Sequence, residues 1–212
     1  MARSVVIVGC GGFGREVRDV IDACIENGDD WRFLGYVDDD PSDANRAAVI
    51  RAGDHVLGGL NWLEEAPKDT HVFIGIATGT VKARIDHQVR MLGLAEGVLI
   101  HPNSTLGRDV ALEAGTVICA GVRLTTNIRI GRHVHVNLNS TIGHDVDVAD
   151  YVSINPLVAI SGNVRIGERS MVGTHAAVLQ GLTIHEDAIV GGSALIVRDV
   201  PRGVTVKGVP AK

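Results

Sequence analysis

From Leu106 to Ile196, every sixth residue is leucine, isoleucine or valine. The series is Leu106, Leu112, Ile118, Leu124, Ile130, Val136, Ile142, Val148, Ile154, Ile160, Ile166, Val172, Val178, Ile184, Val190 and Ile196. Two places before each next member stands another small or aliphatic residue, as at Val122, Ile128, Val134, Ser140, Val146 and Val152. A helix wants apolar residues near a spacing of 3.6, and an amphipathic strand wants a period of two. A strict period of six over about ninety residues suits neither. It suits a solenoid of short flat strands, one hexad per side, with the aliphatics stacked inward. Three hexads close one triangular coil, so residues 18 apart lie over one another at the strand spacing of roughly 4.8 Å. This register turns the sequence into a contact map. His144 is stacked by Gly162, Asn137 by Asn155, and Asn139 by Leu157 and then His175.

The repeat does not reach the beginning of the chain. Six of the seven aromatic residues fall at or before Phe73, and the helix-compatible segments lie in the same part. The boundary is expected near Gly93–Val98, giving domains 1–95 and 96–212. Ser4–Val8 reads as a strand, Gly9-Cys10-Gly11-Gly12-Phe13-Gly14 as a glycine loop, and Arg15–Asn27 as a helix. That order presents backbone N–H groups to a phosphate. A second strand, Arg32–Val37, runs into Asp38-Asp39-Asp40-Pro41, where a carboxylate can reach a ribose hydroxyl. A third, His71–Ala77, leads through Thr78-Gly79 into a helix carrying Lys82 and Arg84. One βαβαβ half without a second argues against a nicotinamide dehydrogenase and for nucleotide or nucleotide-sugar binding. The bland alternatives are glycines that serve only a tight turn and aspartates that form only a solvated one.

The formal net charge of −5 gives no footprint for nucleic acid or an anionic membrane. No apolar run approaches the ~20 residues of a membrane span. Met-Ala-Arg-Ser leads directly into the first strand, and Cys10, Cys24 and Cys119 lie far apart with no C-x-x-C. A cytoplasmic protein with reduced thiols is expected.

Chemistry is sought among the nine histidines, since histidine exchanges a proton near neutral pH. His55, His71 and His87 have ordinary surface readings; His101 and His185 sit at coil corners near the two ends. His133-x-His135 is the nearest approach to metal spacing and is weak, so no metal is expected. His144 stands apart, in Ile142-Gly143-His144-Asp145 with Asn137 and Asn139 before it and Gly162 above it. A glycine over a corner histidine leaves room beside the imidazole and a bare N–H for a developing oxyanion. The opposing reading is a solvated corner histidine, with Asn137 and Asn155 forming a structural amide ladder.

The hexads resemble the left-handed β-helix acyltransferases, whose repeat is [LIV]-G-x-x-x-x; Gly107, Gly131, Gly143, Gly167, Gly173 and Gly191 occupy the second position. Three landmarks extend the resemblance over the whole chain. They are the glycine loop with Tyr36-Val37-Asp38-Asp39, the central Ile142–Asp145 with Ser161–Gly167, and the closing Gly191-Gly192-Ser193-Ala194 with Lys207-Gly208-Val209-Pro210-Ala211-Lys212. Together they are similar to the sugar acetyltransferases that act on nucleotide-linked 4-amino sugars of the bacillosamine and perosamine type, and to their sialic-acid O-acetyltransferase relatives.

The resemblance implies an α/β half-Rossmann domain followed by a left-handed parallel β-helix, assembled as a homotrimer with acetyl-CoA between adjacent β-helices. It implies a catalytic His144 with Asp145 as its acidic neighbour, and the Gly162 amide on the thioester oxygen. Asn137 falls near the acceptor amine, and Gly9, Gly11, Gly12, Gly14, Asp38 and Asp39 fall on the nucleotide sugar. Gly162, Thr174, Gly192, Lys207 and Lys212 fall on coenzyme A. Two positions depart from the family: Asp145 replaces the usual, longer glutamate, and Ser153 stands where some members carry a second histidine. The expected activity is acetyl-CoA-dependent N-acetylation of a nucleotide-activated 4-amino sugar. The alternatives are O-acetylation of a sugar hydroxyl, as on a sialic acid, and a non-catalytic binding solenoid.

Overall fold

The computed structural model describes residues 2–212. The first region is a parallel sheet of four strands, β1 (Arg3–Val8), β2 (Trp31–Val37), β3 (Val56–Gly58) and β4 (His71–Ile74), in the order β3-β2-β1-β4. The helices are α1 (Gly12–Glu26), α2 (Asp43–Arg51), the single turn α3 (Trp62–Glu65) and α4 (Gly79–Leu92). β1 is buried through Val5–Val8 because it lies between β2 and β4 with helices on both faces.

Several boundaries differ from expectation. α1 starts at Gly12, not Arg15, because the glycine loop already has helical geometry there. β4 ends at Ile74, not Ala77. The edge strand β3 and the helix α2 carry no strong periodic signal and were not anticipated.

From Leu99 onward the chain winds as a three-sided parallel coil. Its faces are sheets of seven, six and five strands, running through Val136, Ile142 and Val148 respectively. Pairing is 18 residues apart, as in His135 with Ser153 and Thr141 with Ala159, until the last coil, where Ile189 pairs with Thr205. The hexad aliphatics and their partners two places earlier form one core, from Ile118 to Ala211.

Each coil corner turns through a residue with positive φ, and these too recur every sixth position, from Asp109 to Ser193. Three of the fifteen are Gly115, Gly121 and Gly181; the other twelve, including Tyr151, Leu157 and Arg169, carry side chains. A left-handed residue costs about 1–2 kcal/mol each, so the stacked ladders and the aliphatic core hold these corners.

The first region rests on the seven-stranded face. α1 packs with Leu99, Val117 and Cys119, and a Cβ on Gly79 at the start of α4 would lie 2.7 Å from Arg169 Cα. His135 and Ser153, outward-facing on that sheet, are thereby buried.

Candidate active site

The corner between the six- and five-stranded faces carries His144. Its Nδ1 lies 2.6 Å from Asp145 Oδ2, so the shorter aspartate does reach the imidazole. Asp145 can do so because it occupies the left-handed corner position, φ 59°. Its other oxygen accepts from Asn127 Nδ2 at 2.5 Å. Asn127, then His144, hold the Asp145 carboxyl below its usual range, which keeps it ionised as a partner for the ring. Asn127 was not singled out from sequence, although the 18-residue register places it directly beside Asp145.

The His144 side chain is 51% exposed. A Cβ on Gly162 would come within 2.5 Å of its Nε2, so only glycine leaves that edge of the ring open. The Gly162 N–H has no backbone acceptor among the described residues, as at most equivalent positions of the hexads. What singles out Gly162 is the imidazole under it. Beside this corner runs an open polar groove of about 540 Å³, lined by Asn127, Asp145, Asn163, Arg165, Gly181 and Thr183 among others.

A second set of residues lies elsewhere. Gly9, Asp38, Asp39 and Arg84 line a cavity of about 240 Å³ in the first region, with Leu60 and Ile76 on its apolar side. The four loop glycines have different reasons to be glycine. Gly9 has φ 94°, and a Cβ on Gly14 would lie 1.9 Å from Gly9 O; both are required by the turn itself. Gly11 and Gly12 face open space, at a helix start that no side chain caps, where free N–H groups suit an anion. Asp38 braces this loop, accepting from Cys10 N (2.9 Å) and Asp40 N (3.1 Å). Asp39 accepts from Leu60 N at 2.7 Å. Arg84, exposed at the cavity rim, is a cation that sequence reading noted only in passing.

Asn137 is buried at the corner between the seven- and six-stranded faces, with Cys119 Sγ 3.8 Å from its Oδ1. It makes no amide ladder with Asn155; its side-chain oxygen faces the thiol below it. Two residues before it, the His135 ring packs at a tilt of 38° against Phe13, centroids 4.5 Å apart. Thr174 and Gly192 stack on this same corner, where Ser193 N donates to Thr174 O. Lys207 and Lys212 close the last coil through reciprocal backbone bonds of 3.1 and 3.2 Å. One side of the coil therefore separates Asn137, Thr174 and Gly192 from His144, Asp145 and Gly162 within a single chain.

Between the first region and the coil lies a polar cluster that sequence reading missed. Asp86 accepts from Arg132 (2.7 Å) and Tyr151 (2.7 Å) and lies 3.0 Å from His133 Nε2. Burial alone would raise the Asp86 carboxyl, but bonds from His133, Arg132 and Tyr151 outweigh it and hold it well below the usual range. Burial pushes the Lys82 ammonium well below the lysine range. The same force, with Lys82 and His133 nearby, keeps the His135 imidazole neutral. Burial also lifts the cysteine thiols, to about 11 for Cys10 and Cys24 and about 12 for Cys119. None is a ready nucleophile.

The family model described as PglD N-terminal domain matches residues 4–89. GDP-perosamine N-acetyltransferase of Escherichia coli O157:H7 is 31% identical over 219 residues, covering 97% of this chain and 94% of that protein. The chain belongs to that N-acetyltransferase family. Solved structures agree over the whole length. One is a histidine-to-asparagine mutant of perosamine N-acetyltransferase from Caulobacter crescentus in complex with CoA and GDP-perosamine. It is 29% identical with a TM-score of 0.87, covering 99% of this chain and 95% of that one. Another is the acetyltransferase domain of PglB from Neisseria gonorrhoeae in complex with acetyl coenzyme A, 27% identical with a TM-score of 0.86, covering 100% and 99%. The coil is thus the left-handed parallel β-helix of these acyltransferases. No helix among the described residues is long and apolar enough to cross a membrane.

Proposed function

We propose that this chain transfers the acetyl group of acetyl-CoA to the 4-amino group of a nucleotide-activated sugar, with GDP-perosamine as the first acceptor to test. The observation that carries the reading is the His144 corner: an exposed imidazole oriented by an ionised carboxylate, with a glycine in place of any side chain at its Nε2 edge. In this reading residues 1–95 hold the nucleotide sugar and 96–212 perform the transfer. The amine attacks the thioester carbonyl, His144 Nε2 takes the amine proton, and the Gly162 N–H meets the oxyanion. The proton then passes to the departing thiolate of coenzyme A. Asp145 fixes the ring through Nδ1 and stabilises its charged form. Transfer is direct, in keeping with the high thiol pKa values. The base contributes on the order of 10²–10⁴-fold and the oxyanion donor roughly 10²–10³-fold.

The separation of the two residue groups supports a site shared between chains. Asn137 and the glycine loop face one corner, His144 the next, so a neighbouring copy brings one set to the other. The six-stranded face between them is suited to that contact. Ala159, Ala177 and Leu195 point outward there, flanked by exposed Leu157, Leu179 and Val197. Apolar faces of this kind seek a partner, and a threefold ring closes the set. Thr174, Gly192, Lys207 and Lys212 would flank coenzyme A in that interface. A cytoplasmic reaction is part of the proposal, and the three free, buried cysteines are in keeping with it.

The test is acetyl-CoA-dependent thiol release with guanosine-, uridine- and thymidine-linked 4-amino sugars and with sialic acid, alongside mass by light scattering. Release with a nucleotide amino sugar and a trimeric mass are expected. Release with sialic acid alone would replace the amine by a hydroxyl acceptor. A monomeric mass at micromolar protein would end the shared site.

A further inference from the structure

Lys82 is fully buried, yet no carboxylate lies within ion-pair distance of it among the described residues. Its Nζ spends all three donors on the β-helix: His133 O at 2.9 Å, Val152 O at 3.0 Å and Ser153 Oγ at 3.0 Å. Ser153 Oγ in turn donates to Ala77 O at 2.7 Å, just before α4. A buried ammonium without a counter-charge is costly, and carbonyl acceptors in a fixed fork reward one geometry only. That geometry lies on the path between the two halves of the acceptor site. Val81, Arg84 and Ile85, beside Lys82 on α4, line the nucleotide cavity. His133 and Val152 stand just before the strands His135–Val136 and Ser153–Ile154, and those strands run on into Asn137 and Asn155 at the next corner.

We propose that Lys82 is a positioning residue that fixes the distance and angle between the nucleotide cavity and the acceptor-amine corner at Asn137. It touches no substrate. It sets how far the sugar reaches from a nucleotide held in the first region. Asp86, one turn along α4, anchors the same helix to Arg132, His133 and Tyr151, so Lys82 fixes register on a contact that Asp86 already holds. Ser153 belongs to the same device, which gives the family's departure at that position a role. The inference rests on the proposed N-acetyltransfer to a nucleotide sugar.

Lys82→Met keeps the length and apolar bulk of the side chain while removing its donors. With GDP-perosamine as acceptor, kcat/KM for the sugar nucleotide is expected to fall on the order of 10²-fold, the scale of a misplacement of about 1 Å. The KM for acetyl-CoA and the affinity for GDP alone, measured by calorimetry, are expected to stay within about twofold of wild type. Lys82→Arg, which retains donors, is expected to recover part of the loss. Equal losses for GDP, acetyl-CoA and sugar nucleotide would overturn the proposal in favour of a purely structural lysine, as would unchanged kinetics. Where Lys82→Met does not fold, Ser153→Ala carries the same test: a smaller loss of the same pattern supports the proposal, and parallel losses overturn it. Failure of the wild-type protein to acetylate any nucleotide amino sugar would instead reject the parent reading, and that is seen before any variant is made.

Discussion

The molecule contains two histidine–aspartate pairs of similar length in opposite settings, one buried and one exposed. His133 Nε2 and Asp86 Oδ1 are 3.0 Å apart, with side chains 3% and 1% exposed. His144 Nδ1 and Asp145 Oδ2 are 2.6 Å apart, 51% and 42% exposed. The first joins α4 to the coil across 47 residues of sequence and is surrounded by Arg132 and Tyr151. The second joins adjacent residues, leaves Nε2 free, and faces a glycine. A histidine beside a carboxylate is thus no site in itself. The exposed pair differs in its unoccupied ring nitrogen and in the glycine beside it.

The contrast breaks most visibly at the buried pair. Asp86→Asn takes away the buried carboxylate that Arg132, His133 and Tyr151 share, leaving Arg132 only the more exposed Glu96, and removing one member of a buried pair costs about 3–5 kcal/mol. Denaturant unfolding should show a loss of that size; a loss near zero would make the two pairs alike. The pH dependence follows with a definite sign. The folded Asp86 carboxyl is depressed below an unfolded value of about 3.9. Its stabilisation is therefore complete well above pH ~4 and fades as pH falls below that, through the folded value. Acid unfolding of the wild type should steepen below about pH 4, and Asp86→Asn should flatten that limb.

At the exposed pair the corresponding change acts on rate. Asp145→Asn should lower kcat by less than the loss of His144 itself, since the base persists while its orientation weakens, and leave the melting temperature unchanged. A drop in melting temperature with normal kcat would reverse the assignment of the two pairs.

How much of this was legible follows the reach of each contact. The coil was readable because its signal is local and repeated, and the 18-residue register correctly stacked Gly162 over His144. The same register would have delivered Asn127 beside Asp145. Lys82, Asp86 and their partners were not legible, since their bonds span 46 to 71 residues and join a helix of the first region to the coil. No periodicity encodes that docking. β3 was missed for a related reason: it is a three-residue edge strand held by pairing to β2, not by its own pattern. The alternative amide ladder of Asn137 and Asn155 is not formed; the Asn137 side-chain oxygen faces the Cys119 thiol.

A smaller effect is expected in the glycine loop. Gly11 faces open space, so Gly11→Val should leave folding intact and raise the KM for the sugar nucleotide several-fold, the scale of one lost phosphate contact of about 1 kcal/mol. The KM for acetyl-CoA should not move. Equal changes in both would return the loop to a purely structural turn.

The most direct measurement is the turnover of His144→Ala with GDP-perosamine and acetyl-CoA, taken on protein whose melting temperature and assembly match the wild type. The expected result is a fall in kcat of about 10²–10⁴-fold with coenzyme A affinity nearly unchanged. A near-normal kcat in that well-folded variant would contradict the assignment of chemistry to the exposed pair.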